Sequence, residues 1–406
     1  MTRPFKFRTP SITRHPCRWF LFVPLTFLLA ATLATAQNGN ANFPAPWLEA
    51  LRADARKRGI GTDTLDAVLR DIKPIPRVIE LDRRQPEGRM TFAEYLKLVV
   101  PSSRVQRGRS LLAQHQALLD EVSAKYGVPA SVIVALWGVE SDYGRRTGGF
   151  PVIGALATLA YDGRRGAYFR GELLNALQIL NEGHITPAQM TGSWAGAMGQ
   201  SQFMPSSFLS RAVDHDGDGR RDIWTTHADV FASAANYLKR AGWRQGQLWG
   251  RRVTLPPNFD ADSINLKMIK SLADWQALGV RNAKGQALPK ASFSASIVAP
   301  DGPDGPAFLV YHNFRVFLKW NRSTYFGTAV GLLSDRINAP QVEAAPQGQT
   351  APQGSMELSK EILMAINIPF GVRVILPDDP DHSREQTETA QTAFEAGQLD
   401  AAAYHE

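Results

Sequence analysis

Residues 131–143 read SVIVALWGVESDY, and the run from Ser131 to Val139 is apolar nearly all round a helix. A helix of that kind has no face to offer water, so it belongs inside a helical core, with Pro129 placed at its start. Glu140 ends the run. A carboxylate there is disfavoured as an anion twice, by loss of solvent and by the negative end of the helix dipole. Both effects raise its pKa, and a carboxyl group so tuned can give up a proton near neutral pH and take one back. A glutamate closing a helix also fits an ordinary ion-paired or solvated residue, so this reading alone leaves both roles open. Asp142, two residues on, points to a different helix face and reads as a local turn or surface charge, not as a partner acid.

Outward from this helix the pattern stays mostly helical. Upstream, Trp47 to Arg58 forms one helix. Gly59-Ile60-Gly61 makes a turn, Thr62 is placed to cap a helix over Leu65 to Leu69, and a long amphipathic stretch runs through Val105, Leu112, Leu119 and Val122. Residues 37–128 therefore read as a helical lobe and 129–250 as a compact core that closes near Tyr237 to Trp243. Over 251–310 the pattern changes to short β-like runs, Arg252 to Leu255 and the alternating Phe293, Ala295 and Ile297, which make a small β subdomain. Residues 311–337 return to the core with a helix from about Ser323 to Ile337. Residues 338–355, rich in Pro, Gln, Ala and Gly, read as a linker to an acidic tail over 356–406. The expected class is mainly α (α+β), and no internal repeat is visible.

The ends of the chain bear on where it works. Arg3, Lys6, Arg8, Arg14 and Arg18 precede the apolar run Trp19 to Leu33 and the Ala34-Thr35-Ala36 site, so residues 1–36 read as a secretory signal peptide, with an uncleaved anchor as the alternative. Cys17, the only cysteine, lies before the apolar run, so the leader is not of the lipoprotein type. A chain without a further thiol has no disulfide, cysteine nucleophile or thiolate metal site. The formal charge of +7 conceals an asymmetry, because residues 340–406 carry eleven acids against Lys360, Arg373 and Arg384. Residues 37–339 hold about +10, which suits an anionic polymer as well as it suits ordinary surface charge. Export and the lack of interleaved basic and aromatic residues argue against nucleic acid.

Two downstream segments add polar chemistry. In GSWAGAMGQSQFMPSSF, residues 192–208, the small residues let backbone approach a sugar ring while Ser193 and Gln202 offer hydrogen bonds; a tight turn would use the same composition. In DHDGDG, Asp214, Asp216, Asp218 and Gly219 match the opening of an EF-hand loop, with the Arg220 carbonyl and Asp222 at later positions. Thr225 stands where the bidentate glutamate of such a loop belongs, and Asp229 is the residue that can supply the missing oxygen. A structural Ca2+ is the expected occupant; a bare Asp-Gly turn is the alternative.

Taken together, GVESDYGR around Glu140, the 192–208 segment and the DHDGDG loop resemble the membrane-bound lytic murein transglycosylase B family, in order and over about Trp47 to Ile337. The resemblance implies a lysozyme-like helical core with one catalytic glutamate, Glu140. It implies cleavage of peptidoglycan glycan strands with formation of 1,6-anhydromuramic ends and no catalytic cofactor. It also carries Ser193, Gln202 and Phe203 into the cleft, sets Arg164 and Arg165 against substrate carboxylates, and puts Tyr237 near the glutamate. Trp320, Asn321 and Phe326 of KWNRSTYF join the substrate-binding set, although Trp320 and Phe326 stand where some relatives carry tyrosines; Tyr95 of FAEYL is a further cleft aromatic. Two other readings stay open: a hydrolase of the same polymer, and a non-catalytic wall-binding protein. The acidic tail is the expected contact for cell-wall protein partners, and no oligomeric state is implied.

Overall fold

The computed structural model describes residues 42–83 and 90–339. Residues 1–36, read above as a signal peptide, nearly all of 338–355, read as a linker, and the acidic tail over 356–406 lie outside the described residues. The helices are α1 (Ala45–Lys57), α2 (Thr62–Leu69), α3 (Pro76–Arg83), α4 (Phe92–Val99), α5 (Ser102–Gln114), α6 (Gln116–Tyr126), α7 (Ala130–Ser141), α8 (Val152–Asp162), α9 (Gly166–Asn181), α10 (Pro205–Arg211), α11 (His227–Arg240), α12 (Leu272–Ala277), α13 (His312–Trp320) and α14 (Thr324–Asn338). The strands are β1 (Phe150–Pro151), β2 (Thr191–Gly192), β3 (Gly250–Thr254), β4 (Lys270–Ser271), β5 (Arg281–Asn282), β6 (Ser294–Val298) and β7 (Ala307–Val310). The fold is mainly helical with a small antiparallel sheet, the class expected from the sequence. Among the described residues no single helix is long and apolar enough to cross a membrane.

The fully apolar α7 lies at the centre. Every residue from Ser131 to Gly138 is buried, because α5, α6, α11 and α14 surround the helix and leave no side for solvent. Gly138 is needed for close approach: a Cβ there would lie 2.6 Å from the Tyr143 ring. That ring is folded back under the helix end by two successive left-handed residues, Asp142 (φ 52°) and Tyr143 (φ 61°). The Tyr143 hydroxyl donates to the Arg104 carbonyl at 2.8 Å and ties the turn to α5.

Three local expectations are corrected. Thr62 does not cap its helix; Gly61 holds the cap position, and its N–H donates 2.8 Å to Asn181 Oδ1 of α9, so the capping acceptor comes from another helix. The long stretch through Val105 and Leu119 is two helices, broken at His115 (φ −104°, ψ 18°), whose ring turns edge-on to Trp137 of α7. The helix expected from about Ser323 to Ile337 is α14, preceded by α13, and Asn338 ends α14 instead of opening a linker. Capping boxes at Thr91–Glu94 and Ser271–Asp274 start α4 and α12, and both were visible in the sequence as S/T-x-x-acid patterns.

The sheet runs β4-β6-β7-β3-β5, all antiparallel, with Ser296 opposite Val310 and Val253 opposite Ala307. The alternation of Ala295 and Ile297 does mark one face, which packs with Leu272, Trp275 and Leu309 into a small core of its own. The other face is buried as well, since Val298, Phe308 and Val310 join the helical core. Strands covered on both sides lose the apolar-polar contrast expected of a half-exposed sheet.

Candidate active site

Glu140 occupies the last turn of α7 and is 9 % exposed. Burial pushes its carboxyl up to about 8, against the opposing influence of one indole hydrogen bond. That bond comes from Trp320, the last residue of α13, whose Nε1–H donates 2.6 Å to Oε1. The indole is held by two aromatic neighbours, Tyr237 at 4.6 Å and Phe203 at 5.3 Å between ring centroids. Tyr237 of α11 in turn donates its hydroxyl to the Lys319 carbonyl at 2.6 Å and fixes the end of α13. Phe203, Tyr237 and Trp320 thus act on Glu140 as one aromatic cluster. Burial raises the Tyr237 hydroxyl above its ordinary range, which keeps it a neutral donor.

Asp142 is buried, not at the surface. Its carboxylate meets Arg104 at 3.3 Å, Arg145 at 2.5 Å and Arg146 at 3.8 Å, so it is committed to an arginine cluster that closes the helix end. Tyr95 of α4 is partly buried, and its hydroxyl is driven up first by burial and then by the negative charge of Glu140. Its ring lies 5.6 Å from that of Tyr325, a residue the sequence reading passed over in favour of Phe326. Phe326 is buried and its N–H is capped by Ser323 Oγ, while Asn321 Oδ1 accepts from the Ser323 N–H at 3.0 Å; both serve the turn between α13 and α14.

The 192–208 loop is held tightly. A Cβ on Gly148 would lie 2.1 Å from the Gly192 carbonyl oxygen, so two chain segments cross here at backbone contact. Ser193 Oγ accepts from the N–H groups of Ala195 (3.3 Å) and Ala197 (3.0 Å), leaving its proton to offer. Gln202, left-handed at φ 50°, spends its amide N–H groups on the carbonyls of Thr147 (3.1 Å) and Gly199 (2.8 Å) and keeps Oε1 as an acceptor. Gln200, which the sequence reading missed, accepts from Trp137 Nε1 at 2.7 Å and donates to the Trp224 carbonyl at 2.8 Å, pinning the loop to α7. Its place in a Gly-rich GQSQ segment was the available signal.

Arg164 and Arg165 both bind the buried Asp82 of α3, at 2.8 Å and 3.1 Å, and Arg165 lies over the Phe169 ring at 5.0 Å. They join α3 to the corner between α8 and α9.

Residues 44–335 match the family model described as the transglycosylase SLT domain. The chain belongs to the SLT-domain transglycosylases. It is 29 % identical over 361 residues to membrane-bound lytic murein transglycosylase B of Escherichia coli, covering 84 % of this chain and 94 % of that protein. SltB3 of Pseudomonas aeruginosa, solved in complex with NAG-anhNAM-pentapeptide, is similar at 46 % identity and TM-score 0.70, over 72 % of this chain and 78 % of that one. A lytic transglycosylase of Escherichia coli in complex with calcium is similar at 30 % identity and TM-score 0.63, over 72 % and 92 % of the two chains.

In this SLT-domain chain, carboxylate oxygens of Asp214, Asp216 and Asp229 all lie within 4.8 Å of one another. Asp229 is fully buried in α11 and accepts from the N–H groups of His215 and Asp222, each at 2.7 Å. Loss of solvent, together with the charges of Asp216 and Asp214, raises its pKa despite those bonds. Three converging hard oxygen donors with unbalanced negative charge fit a hard dication. Asp214 accepts from the N–H groups of Gly217 (2.7 Å) and Gly219 (2.9 Å) within the group, whereas Asp218 stands outside it and accepts from the Arg220 N–H (2.8 Å) and guanidinium (3.0 Å). Asp222 is likewise taken up by the N–H groups of Trp224 and Thr225.

Proposed function

We propose that this chain is a lytic transglycosylase that cleaves the β-1,4 bond between N-acetylmuramic acid and N-acetylglucosamine, with Glu140 as its acid and base. The observation that carries the reading is the buried Glu140 carboxyl, pushed up to about 8 and held by the Trp320 indole. At neutral pH that group is mostly protonated. It gives its proton to the bridging oxygen as the bond to the anomeric carbon breaks. The resulting carboxylate, favoured by the indole N–H, then accepts the proton of the muramic C6 hydroxyl. That oxygen bonds to the anomeric carbon, closing the 1,6-anhydro ring and returning Glu140 to its starting state.

The nucleophile belongs to the sugar, so neither water nor a second carboxylate at glycosidase spacing enters. Asp142, tied up by Arg104, Arg145 and Arg146, agrees with that economy. Ser193, Gln202 and Tyr95 would meet the sugars, and the aromatic cluster of Phe203, Tyr237 and Trp320 would position the acid. Asp214, Asp216 and Asp229 would hold a structural Ca2+ that braces the loop after the 192–208 segment. Residues 1–36 would direct the chain to the periplasm.

Mass spectrometry of peptidoglycan digested by the wild type and by Glu140→Gln tests the assignment, since the amide neither gives nor takes the catalytic proton. Anhydromuropeptides from the wild type alone are expected. Reducing-end muropeptides would make the chain a hydrolase, and an unimpaired variant would remove Glu140 from the mechanism.

A further inference from the structure

A second cleft, about 380 Å³ in volume, opens where the sheet meets α13 and is separate from the surroundings of Glu140. Arg315 and Trp320 share α13 but lie roughly 140° apart around it and ~7.5 Å apart along it, so the helix divides the two sites. Arg244, His312 and Arg315 line the cleft, and none of its lining residues is acidic. Among the described residues neither arginine has a carboxylate partner. Arg315 is half-buried, and burial disfavours its charge. One of its terminal nitrogens is used by the Leu266 carbonyl (2.5 Å) and Ser296 Oγ (2.8 Å), which fixes the guanidinium and leaves three N–H donors unspent. A partly desolvated, immobilised cation without an anion is an unfinished ion pair.

The sheet is also unfinished here. β6 pairs with β7 only from Ser296 onward, because the chain leaves β7 at Val310 and turns into α13. Ser294 and Ala295 pair with β4 on their other side, so towards the cleft the sheet lacks a strand. An extended peptide is the ligand that uses such a gap, and a carboxylate is the group a planar guanidinium fork recognises. The half-exposed Ile269 and the ring of Phe293 supply an apolar wall for small side chains.

We infer that this cleft binds the acidic end of a peptidoglycan stem peptide, with its carboxylate on Arg315 and Arg244 and its backbone along the free edge of β6. The inference rests on peptidoglycan being the substrate. The volume lies at the small end for ligand sites, so the cleft takes the end of the peptide and not its whole length. Extended, five residues reach roughly 17 Å, enough for a stem whose sugar lies on the other side of α13.

The test is calorimetric titration of the full chain, as Glu140→Gln, with free stem pentapeptide lacking sugar and with the same peptide amidated at its carboxylates. Binding of the first, weakened ten-fold or more by amidation, by Arg315→Gln and by Ser292→Glu, is expected; Ser292 is an exposed lining residue, so its variant guards against a folding defect at Arg315. In the active chain, Arg244→Gln should lower kcat/KM on stem-bearing strands about ten-fold and leave strands stripped of peptide unaffected. Absence of pentapeptide binding, equal binding of the amidated peptide, or cleft variants that leave binding unchanged would overturn the inference. Because free-peptide binding needs no turnover, these outcomes are independent of whether the product carries an anhydro or a reducing end.

Discussion

Glu140 and the Asp214–Asp216–Asp229 group are two answers to the problem of a carboxylate out of water. Glu140 is a single acid in an apolar helix end with an indole N–H on one oxygen, and the cheapest state for it is the protonated one. The aspartates converge three at a time, and Asp229 is already held by two backbone N–H groups. A cluster with that much acceptor capacity is completed by a hard cation more readily than by protons. On the proposed function, the contrast separates a group that exchanges a proton from one that holds an ion.

The sharpest way to break the contrast is to remove the proton. Glu140→Gln should lower turnover by on the order of 10³-fold or more, measured as soluble muropeptide release, with binding of glycan strands retained. The same variant should be the more stable protein at alkaline pH. A carboxyl whose folded pKa lies above its unfolded value contributes stability that is fully present below the unfolded pKa of about 4.5 and is lost as pH rises through about 8. Denaturant unfolding above that range should therefore favour Glu140→Gln by up to roughly 5 kcal/mol, with the difference vanishing toward pH 4.

A milder change sharpens the indole's role. Trp320→Phe keeps the aromatic packing and removes the N–H that favours the anion, so the alkaline limb of the pH–rate profile should move to higher pH while turnover falls about ten-fold to a hundred-fold. An unmoved limb would show that the hydrogen bond does not tune Glu140. The smallest effect belongs to the aspartates: saturating Ca2+ should raise Tm by roughly 5 °C, corresponding to the ~2.7 kcal/mol of a ligand at a hundred times its Kd. Asp216→Ala should abolish that rise and leave the pH–rate profile unchanged.

What could be read in the sequence divides along similar lines. The burial of α7 and the position of Glu140 at its end were legible, because a run apolar on every face has one stable environment. The mainly helical class and the small sheet were legible from periodicity and from the Pro and Gly turns after Arg251. The Trp320 bond was not, because donor and acceptor are 180 residues apart and the packing of α13 on α11 and α14, both neighbours of α7, brings them together. Asp218 followed the EF-hand spacing yet turned to Arg220, a local choice between two acceptor uses that spacing does not encode. The His115 break is not legible because Val105 and Leu119 stay in phase across it, and the second buried face of the sheet is hidden because the residues covering it come from distant helices.

Digestion of peptidoglycan in heavy-oxygen water distinguishes attack by the sugar hydroxyl from attack by water most directly. If Glu140 serves an attack by the sugar's own hydroxyl, the released muramic ends will be anhydro and free of heavy oxygen. Reducing ends that carry one heavy oxygen atom would show that water is the nucleophile and that Glu140 does not serve attack by the muramic C6 hydroxyl.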